Sequence, residues 1–143
     1  LMTTKTASAE WEGTLQEGSG AFHMGEDQRM TEPYSFETRF KEGHGLGPED
    51  LVAAAHAGCY SMALSHLLHE EGIEAERVAT SADVSLEKIG DGFAITTIHL
   101  NTRVKAPGLK QDSLEEYAST AAESCPVSKA LEGVDISVEA GLA

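Results

Sequence analysis

Residues 47–72 read GPEDLVAAAHAGCYSMALSHLLHEEG and predict one long helix. Pro48 fits the first turn, where its missing N–H would have no helical partner, and Gly72 fits a left-handed cap after the last turn. The first half of the segment is apolar on every side of the cylinder, which is typical of a helix that is buried on every side. The rest of the chain is therefore expected to pack around this helix.

Cys59 lies in the middle of the apolar segment. Burial in apolar surroundings should raise the pKa of its thiol and leave it unreactive unless a cation lies nearby. Free cysteine is among the residue types most often buried, so a plain core position is an open alternative. Arg39, on a predicted strand before the helix, is the arginine best placed in the sequence to supply that cation. Its own alternative is a solvated charge on the strand face.

Cys125 precedes Pro126, which can start a short helix over residues 126–131. The unpaired N–H groups and the positive end of the dipole at a helix start lower the pKa of a thiol. The alternative is a core cysteine in a capping position. The two cysteines are therefore inert core thiols, a transient redox pair or part of a metal site, although none of the six histidines falls in a tight Cys/His cluster of the zinc type.

Length and composition limit the class of protein. The chain has 143 residues, 41% of them hydrophobic, which suits one domain with its own core, predicted to span residues 1–143. The net charge of −14 disfavours nucleic acid and anionic lipid as partners. No apolar run is long enough for a membrane span, and the N-terminal segment lacks a hydrophobic signal core. We expect a cytoplasmic protein, in which a permanent structural disulfide is not expected.

Alternating apolar and polar residues predict strands on both sides of the long helix. The predicted strands are residues 3–15, 19–24, 34–40, 82–89, 93–104 and 134–139. A glycine-rich loop over residues 41–47 leads into the long helix, and a Gly-Asp-Gly turn joins the fourth and fifth strands. A capping box at Ser113 and Glu116 predicts a further helix that ends near Cys125, because Pro126 follows. The order βββ-α-ββ-α-α-β predicts an α+β fold with largely antiparallel sheet.

Several segments, in the right order and over nearly the whole chain, resemble the OsmC/Ohr family of thiol peroxidases. They are GPEDL at 47–51, AGCYSMAL at 57–64, ADVSL at 82–86, GFAIT at 92–96 and CPVSKAL at 125–131. A cysteine in the long helix paired with a later Cys-Pro-x-Ser is the most specific part of the resemblance. The ADVSL and GFAIT segments are more similar to the OsmC branch than to the Ohr branch.

The resemblance implies a role for each site residue. Cys59 would be the peroxidatic thiolate and Cys125 the resolving cysteine. Arg39 would hold the thiolate and polarise the peroxide, with Glu49 fixing the arginine. The implied fold is an intertwined homodimer, with mainly antiparallel sheets around long buried central helices and the active site at the subunit interface. Glu49 and Cys59 are ten residues apart on one helix, about 15 Å along its axis, so a site built from both subunits removes a conflict within one chain.

The implied function is the reduction of organic hydroperoxides to alcohols. It runs through a sulfenic acid at Cys59 and a disulfide with Cys125, which an external dithiol, for example of the lipoyl type, reduces. No cofactor or metal is implied, and no nucleic acid or membrane partner. Two alternatives from other classes stay open: a non-enzymatic dimeric module with structural core cysteines, and a general thiol–disulfide oxidoreductase. Core thiols would react with alkylating agents only on unfolding, and an oxidoreductase would turn over disulfides without peroxide.

Overall fold

The computed structural model describes residues 1–41 and 44–143. The predicted glycine-rich loop over residues 41–47 therefore lies partly outside the described residues. The chain divides into two compact units, Leu1–Asp50 and Leu51–Ala143.

The first unit contains a three-stranded antiparallel sheet in the order β1-β2-β3. Its strands are β1 at Ser8–Glu12, β2 at Ser19–Met24 and β3 at Met30–Tyr34. The predicted hairpin of the first two strands is confirmed. β1 is shorter than the predicted strand over residues 3–15, because only residues 8–12 pair with β2. A single 3-10 turn at Glu26–Gln28 leads into β3.

The predicted strand over residues 34–40 is wrong, because the chain turns at Ser35 into the short helix α1, Phe36–Phe40. The Ser35 hydroxyl accepts a hydrogen bond from the Thr38 N–H at 3.2 Å, and the Thr38 hydroxyl accepts one from the Ser35 N–H at 2.8 Å. This reciprocal cap satisfies two N–H groups at the start of a helix. The two phenylalanines of α1 also lie one turn apart, with ring centroids separated by 4.7 Å. Arg39 therefore lies on a helix and not on a strand.

The long helix α2 spans Pro48–Glu70, as predicted. Gly72 has a φ of 78°, the left-handed conformation that ends a helix without steric cost. By length and composition alone α2 could cross a membrane, a test that core helices of soluble proteins also pass. One side of α2 is buried along a stripe of residues spaced four apart. Its members are His56, Tyr60, Leu64 and Leu68, each 0% exposed.

Another side of α2 is open to solvent in a single chain. Ala54, Ala55 and Gly58 are exposed, and Met62 is 76% exposed. The expectation that this helix is buried on every side is therefore wrong for the second unit of one chain, in which no described element covers these residues.

The second unit contains a three-stranded sheet in the order β4-β5-β6. β4, Arg77–Ile89, and β5, Gly92–Lys105, form the predicted antiparallel hairpin. β4 begins five residues earlier than predicted because residues 77–81 continue the ladder opposite residues 101–105. The last strand, β6 at Asp135–Leu142, pairs with β5 in parallel, so this sheet is mixed.

Two helices join β5 to β6: α3 at Gln111–Ser124 and α4 at Pro126–Ala130. The predicted capping box at Ser113 and Glu116 is wrong, because the N-cap of α3 is Lys110, three residues earlier, and it makes no side-chain cap. The predicted end of α3 at Cys125 and the start of α4 at Pro126 are confirmed. Over the described residues the fold is α+β, as predicted, with two three-stranded sheets and four α-helices.

The core of the second unit lies between α2, α3 and one face of the sheet. Its buried members are Tyr60, Leu64, Leu68, Ile98, Leu100, Val104, Ala106, Leu109, Leu114, Ala121 and Cys125, and Cys59 packs against them. The fold therefore brings both cysteines to the same core.

Candidate active site

Cys59 and Cys125 are both reduced, and their side chains are hydrogen-bond partners. Cys59 is partly buried on α2, and Cys125 is 0% exposed at the junction of α3 and α4. The junction forms because a residue before proline avoids helical geometry, while proline itself suits the first turn of the next helix. A local sequence rule therefore places one thiol, and the core brings it to the other.

The two thiols differ in acidity. Burial raises the pKa of Cys59, and so does its hydrogen bond to Cys125, while the backbone N–H of Val127 acts in the opposite direction. Burial acts to raise the pKa of Cys125 as well. Hydrogen bonding from Cys59, from the N–H and hydroxyl of Ser128 and from the Val127 N–H outweighs burial and brings the Cys125 pKa below its usual value. Within the second unit, negative charge is therefore more stable on Cys125 than on Cys59.

Both pKa directions were expected from the sequence. A buried thiol in the middle of a helix, Cys59, should have a raised pKa, and a thiol before a helix that starts with proline, Cys125, should have a lowered pKa. The cause at Cys125 is more specific than expected. Its sulfur makes no capping hydrogen bond of standard geometry at the start of α4. The side chains of Cys59 and Ser128 therefore share the stabilisation of the Cys125 anion with the backbone of α4.

No role was assigned from the sequence to two buried polar residues beside the cysteines, although Ser128 is the serine of the Cys-Pro-x-Ser segment. His56 is 0% exposed and Ser128 is 6% exposed. His56 Nε2 lies 2.7 Å from Ser128 Oγ. Burial lowers the pKa of His56, so its ring is neutral near neutral pH. The available signal was spacing, because each residue lies three positions from a cysteine on a helical segment and therefore faces the same side.

Tyr60 borders the thiol pair on the side of the core. Its hydroxyl donates a hydrogen bond to the backbone carbonyl of Ala118 at 3.0 Å. Burial raises the pKa of Tyr60 strongly, and the nearby charge of Cys125 raises it further. Tyr60 therefore stays un-ionised and brings no second negative charge to the thiol pair.

In the first unit, Arg39 and Glu49 form an ion pair. Arg39 Nε donates to Glu49 Oε1 at 2.9 Å, and the side chain of Glu49 is only 13% exposed. Gly47 lies close against the arginine, since a Cβ at position 47 would come within 3.1 Å of Arg39 Cα. The two residues that the resemblance pairs are therefore in contact, and their catalytic roles stay predictions.

Among residues 1–41 and 44–143, no group of three or more His, Cys, Asp or Glu side chains could hold a metal ion. The metal-site alternative for the two cysteines has no support in this part of the chain.

Two interacting thiols of unequal acidity are the arrangement that thiol–disulfide exchange requires. Comparison with known proteins identifies the family. The profile of the family described as OsmC-like protein matches residues 41–139, and the chain belongs to this family.

Two relatives illustrate the similarity. Peroxiredoxin OsmC from Escherichia coli strain K12 is 41% identical over 128 residues, which cover 90% of each chain. Organic hydroperoxide resistance protein OhrB from Bacillus subtilis strain 168 is 35% identical over 103 residues, which cover 69% of this chain and 73% of the other. The crystal structure of OhrB matches with a TM-score of 0.71 at 30% identity, over 94% of this chain and 97% of the other. The predicted resemblance to the OsmC/Ohr family is confirmed.

Proposed function

We propose that this protein is a cytoplasmic thiol peroxidase, a single domain over residues 1–143, that reduces organic hydroperoxides to alcohols in defence against oxidative stress. Relatives named peroxiredoxin OsmC and organic hydroperoxide resistance protein support the activity and the substrate class. The observation that carries the proposal to particular residues is the hydrogen-bonded pair of reduced thiols, Cys59 and Cys125.

Cys59 is the proposed nucleophile. Its sulfur attacks the terminal oxygen of ROOH, so that an S–O bond forms while the O–O bond breaks. The product at Cys59 is a sulfenic acid, and the alkoxide leaves as the alcohol. Cys59 reacts as its thiolate, and the departing alkoxide takes up a proton from the solvent.

Cys125 is the proposed resolving residue. Its thiolate attacks the sulfenic sulfur, the S–S bond forms, the S–O bond breaks, and hydroxide leaves as water after taking up a proton. An external dithiol, for example of the lipoyl type, then reduces the disulfide and is itself oxidised to a disulfide. The cycle needs only the two protein sulfurs, the peroxide and this dithiol.

Arg39 is the proposed source of positive charge for Cys59. A cation is needed because burial raises the pKa of the Cys59 thiol, and a neighbouring opposite charge favours the ionised form. The ion pair with Glu49 fixes the guanidinium of Arg39. We propose that the catalytic sites form in a homodimer, to which both subunits contribute residues.

Replacement of Arg39 by methionine should slow the reaction with peroxide by roughly 10- to 1000-fold at neutral pH, the range expected for a pKa rise of 1–3 units at Cys59. Because the thiolate forms only as pH rises through its pKa, the rate of this variant should recover in alkaline solution. Arg39→Lys should be intermediate, since lysine keeps the charge but not the planar fork. Stopped-flow mixing of reduced protein with cumene hydroperoxide measures these rates.

The matched control for Arg39→Met is Arg29→Met, which removes the same charge from an exposed position before β3. Arg29→Met should react at the parental rate. A parental rate in Arg39→Met at neutral pH would contradict the role assigned to Arg39.

The proposed dimer uses the exposed apolar side of α2, made of Ala54, Ala55, Gly58 and Met62. A Cβ at position 58 would have no neighbour within 4 Å, so the chain leaves space here for a second helix. Small residues let two helices approach closely, and an exposed apolar patch of this kind is typical of an interface.

Met62→Glu should convert the dimer to monomers, because it would bury an unpaired carboxylate between two helices. Sedimentation velocity measures the change in mass. Ile89→Glu is the control, since Ile89 is also exposed and apolar, at 58%, but lies at the end of β4 next to the hairpin turn. A dimer that survives Met62→Glu, or that Ile89→Glu disrupts equally, would count against this interface.

A peroxidase assay with a lipoyl dithiol tests the proposed function. Cumene hydroperoxide should be consumed faster than hydrogen peroxide, because Val52, Ala55 and Met62 provide apolar side chains around Cys59 on α2. Turnover of disulfides without peroxide would indicate a general oxidoreductase. Thiols that react with alkylating agents only on unfolding, without peroxide consumption, would indicate a structural role.

A further inference from the structure

His56 and Ser128 form a buried polar pair that the proposed peroxidase cycle does not use. His56 Nε2 and Ser128 Oγ are 2.7 Å apart, and the residues come from α2 and α4. His56 Nδ1 is also buried and has no hydrogen-bond partner in the described part of the chain. Buried polar groups cost free energy unless they are paired, so a histidine in this core position needs a reason.

The missing partner of Nδ1 determines the direction of the hydrogen bond. A neutral imidazole carries one N–H, and the other nitrogen is an acceptor. A proton on Nδ1 would leave a buried donor unpaired, which is rarer in proteins than an under-satisfied acceptor. The proton therefore belongs on Nε2, and His56 donates to the oxygen of Ser128. The hydroxyl hydrogen of Ser128 is then free to point elsewhere.

Cys125 is the group at which that hydrogen can point. It lies three residues before Ser128 in the segment that starts α4, and it is 0% exposed. The hydroxyl of Ser128 is a hydrogen-bond partner of the Cys125 sulfur. A donor aimed at a buried sulfur stabilises its anion more than its protonated form, in which sulfur is only a weak acceptor.

We propose that His56 and Ser128 are positioning residues for Cys125: His56 Nε2–H holds the Ser128 oxygen, so that the Ser128 hydroxyl donates to the Cys125 sulfur and keeps it ionised for disulfide formation. The assignment rests on the proposed peroxidase cycle. In that cycle the Cys125 anion forms the S–S bond to Cys59, while the S–O bond of the sulfenic acid breaks and water leaves. The same donor stabilises Cys125 as the leaving thiolate when the external dithiol attacks Cys59.

The effect of Ser128 on the pKa of Cys125 can be measured separately from the effects of the other titratable groups near Cys125. Cys59 and Tyr60 on α2 couple to its charge, and His56 on the same helix acts through Ser128. In the background of Cys59→Ser, Cys125 is the one cysteine left, so its titration is observed without a second thiol. Tyr60 is unchanged in every variant compared.

The first experiment titrates Cys125 in Cys59→Ser protein, without peroxide, by the ultraviolet absorbance of the thiolate. Ser128→Ala should raise the midpoint by about 1 pH unit, the effect of losing one hydrogen bond to a charged group. His56→Leu should raise it in the same direction, and His56→Gln should restore part of the shift because its amide N–H can occupy the position of Nε2. Unchanged midpoints in both Ser128→Ala and His56→Leu would overturn the proposal.

A second histidine–serine pair supplies the matched control. His99 Nδ1 lies 2.7 Å from Ser137 Oγ, across β5 and β6. Ser137→Ala removes the same hydroxyl from a pair that is not a partner of Cys125. Its titration midpoint should equal that of the parent, and an equal shift in Ser137→Ala would overturn the proposal by showing a non-specific effect.

The second experiment measures disulfide formation in the protein with both cysteines, by rapid mixing with one equivalent of cumene hydroperoxide. Below both midpoints, Ser128→Ala should form the disulfide roughly threefold more slowly, because a tenfold smaller thiolate fraction is partly offset by higher nucleophilicity. Above both midpoints it should be roughly threefold faster, because only the nucleophilicity term remains. This crossing of the two pH profiles is not expected from a packing defect, and parallel profiles would overturn the proposal.

The two experiments distinguish failure of the positioning role of His56 and Ser128 from failure of the peroxidase cycle. If the parent forms the disulfide but the titration midpoints of the variants do not move, the positioning role of His56 and Ser128 is overturned and the peroxidase cycle stands. If the midpoints shift but the parent forms no disulfide, the peroxidase cycle is overturned, and with it the step assigned to Cys125. The shifted midpoints would still support the hydrogen bonds from His56 to Ser128 and from Ser128 to Cys125. Ser128→Ala removes one oxygen atom, and circular dichroism checks that each variant is folded.

Discussion

Replacement of Cys59 by serine is expected to abolish peroxide turnover, with a loss of more than about a thousandfold, as for other enzymes that lose their nucleophile. A serine hydroxyl has almost the same size as the thiol but does not ionise near neutral pH, and it is a far weaker nucleophile towards oxygen. The measurement is consumption of cumene hydroperoxide with excess dithiol. The fold should be retained, because Cys59 is only partly buried and the change is nearly isosteric.

The control for this variant is Ser61→Ala, which changes a nearby polar side chain on the same helix. The hydroxyl of Ser61 donates to Thr80 Oγ1 at 2.8 Å, and it has no place in the proposed cycle. Turnover should persist in Ser61→Ala. If Cys59→Ser kept a tenth or more of the parental rate, another group would have to be the nucleophile.

Replacement of Cys125 by serine should separate the first step from the rest of the cycle. Cys59 should still react with one equivalent of hydroperoxide and release the alcohol, but no second thiol would be present to close a disulfide. The sulfenic acid at Cys59 should therefore accumulate and, with excess peroxide, oxidise further to the sulfinic acid, which dithiols do not reduce. Turnover should stop after one equivalent.

Mass spectrometry after a dimedone chase measures this sulfenic acid directly. In the parent, the signal should be transient, because Cys125 consumes it. Sustained turnover in Cys125→Ser with the dithiol would show that the reductant attacks the sulfenic acid itself and that Cys125 is not required for resolution. A dimedone adduct absent from both proteins would contradict the sulfenic acid at Cys59.

Local rules predicted the elements that carry the two thiols. A proline in the first turn and a glycine after the last one bounded α2, and the proline after Cys125 predicted the break between α3 and α4. These features depend on the backbone of one or two residues, so they can be read without knowledge of tertiary contacts. The same is true of the β4–β5 hairpin, whose turn signal lies between two alternating runs.

The segment that carries Arg39 could not be assigned by alternation alone. Aromatic residues at positions 36 and 40 fit one face of a strand, but they also lie one helical turn apart. The reciprocal hydrogen bonds between Ser35 and Thr38 decide for the helix, and threonine in place of glutamate or glutamine made that cap hard to recognise. The ion pair of Arg39 with Glu49 was expected from the resemblance and not from local pattern.

The pair of His56 and Ser128 could not be found from the sequence because its members are 72 residues apart. Their contact depends on how α2 and α4 pack, which the spacing of each residue from its own cysteine does not show. The exposure of Met62 has a similar origin, since an apolar helix predicts burial but does not show which chain provides it. Tertiary packing determines the contact of His56 with Ser128, and in our proposal a second subunit covers Met62.

The most direct test of the proposed cycle is the intact mass of reduced protein after one equivalent of cumene hydroperoxide, with hydrogen peroxide in parallel. The account predicts rapid loss of the mass of two hydrogen atoms, as the Cys59–Cys125 disulfide forms, faster with the organic peroxide and absent in Cys59→Ser. An unchanged mass in protein that remains folded would contradict it and would leave the two cysteines as ordinary residues of the core.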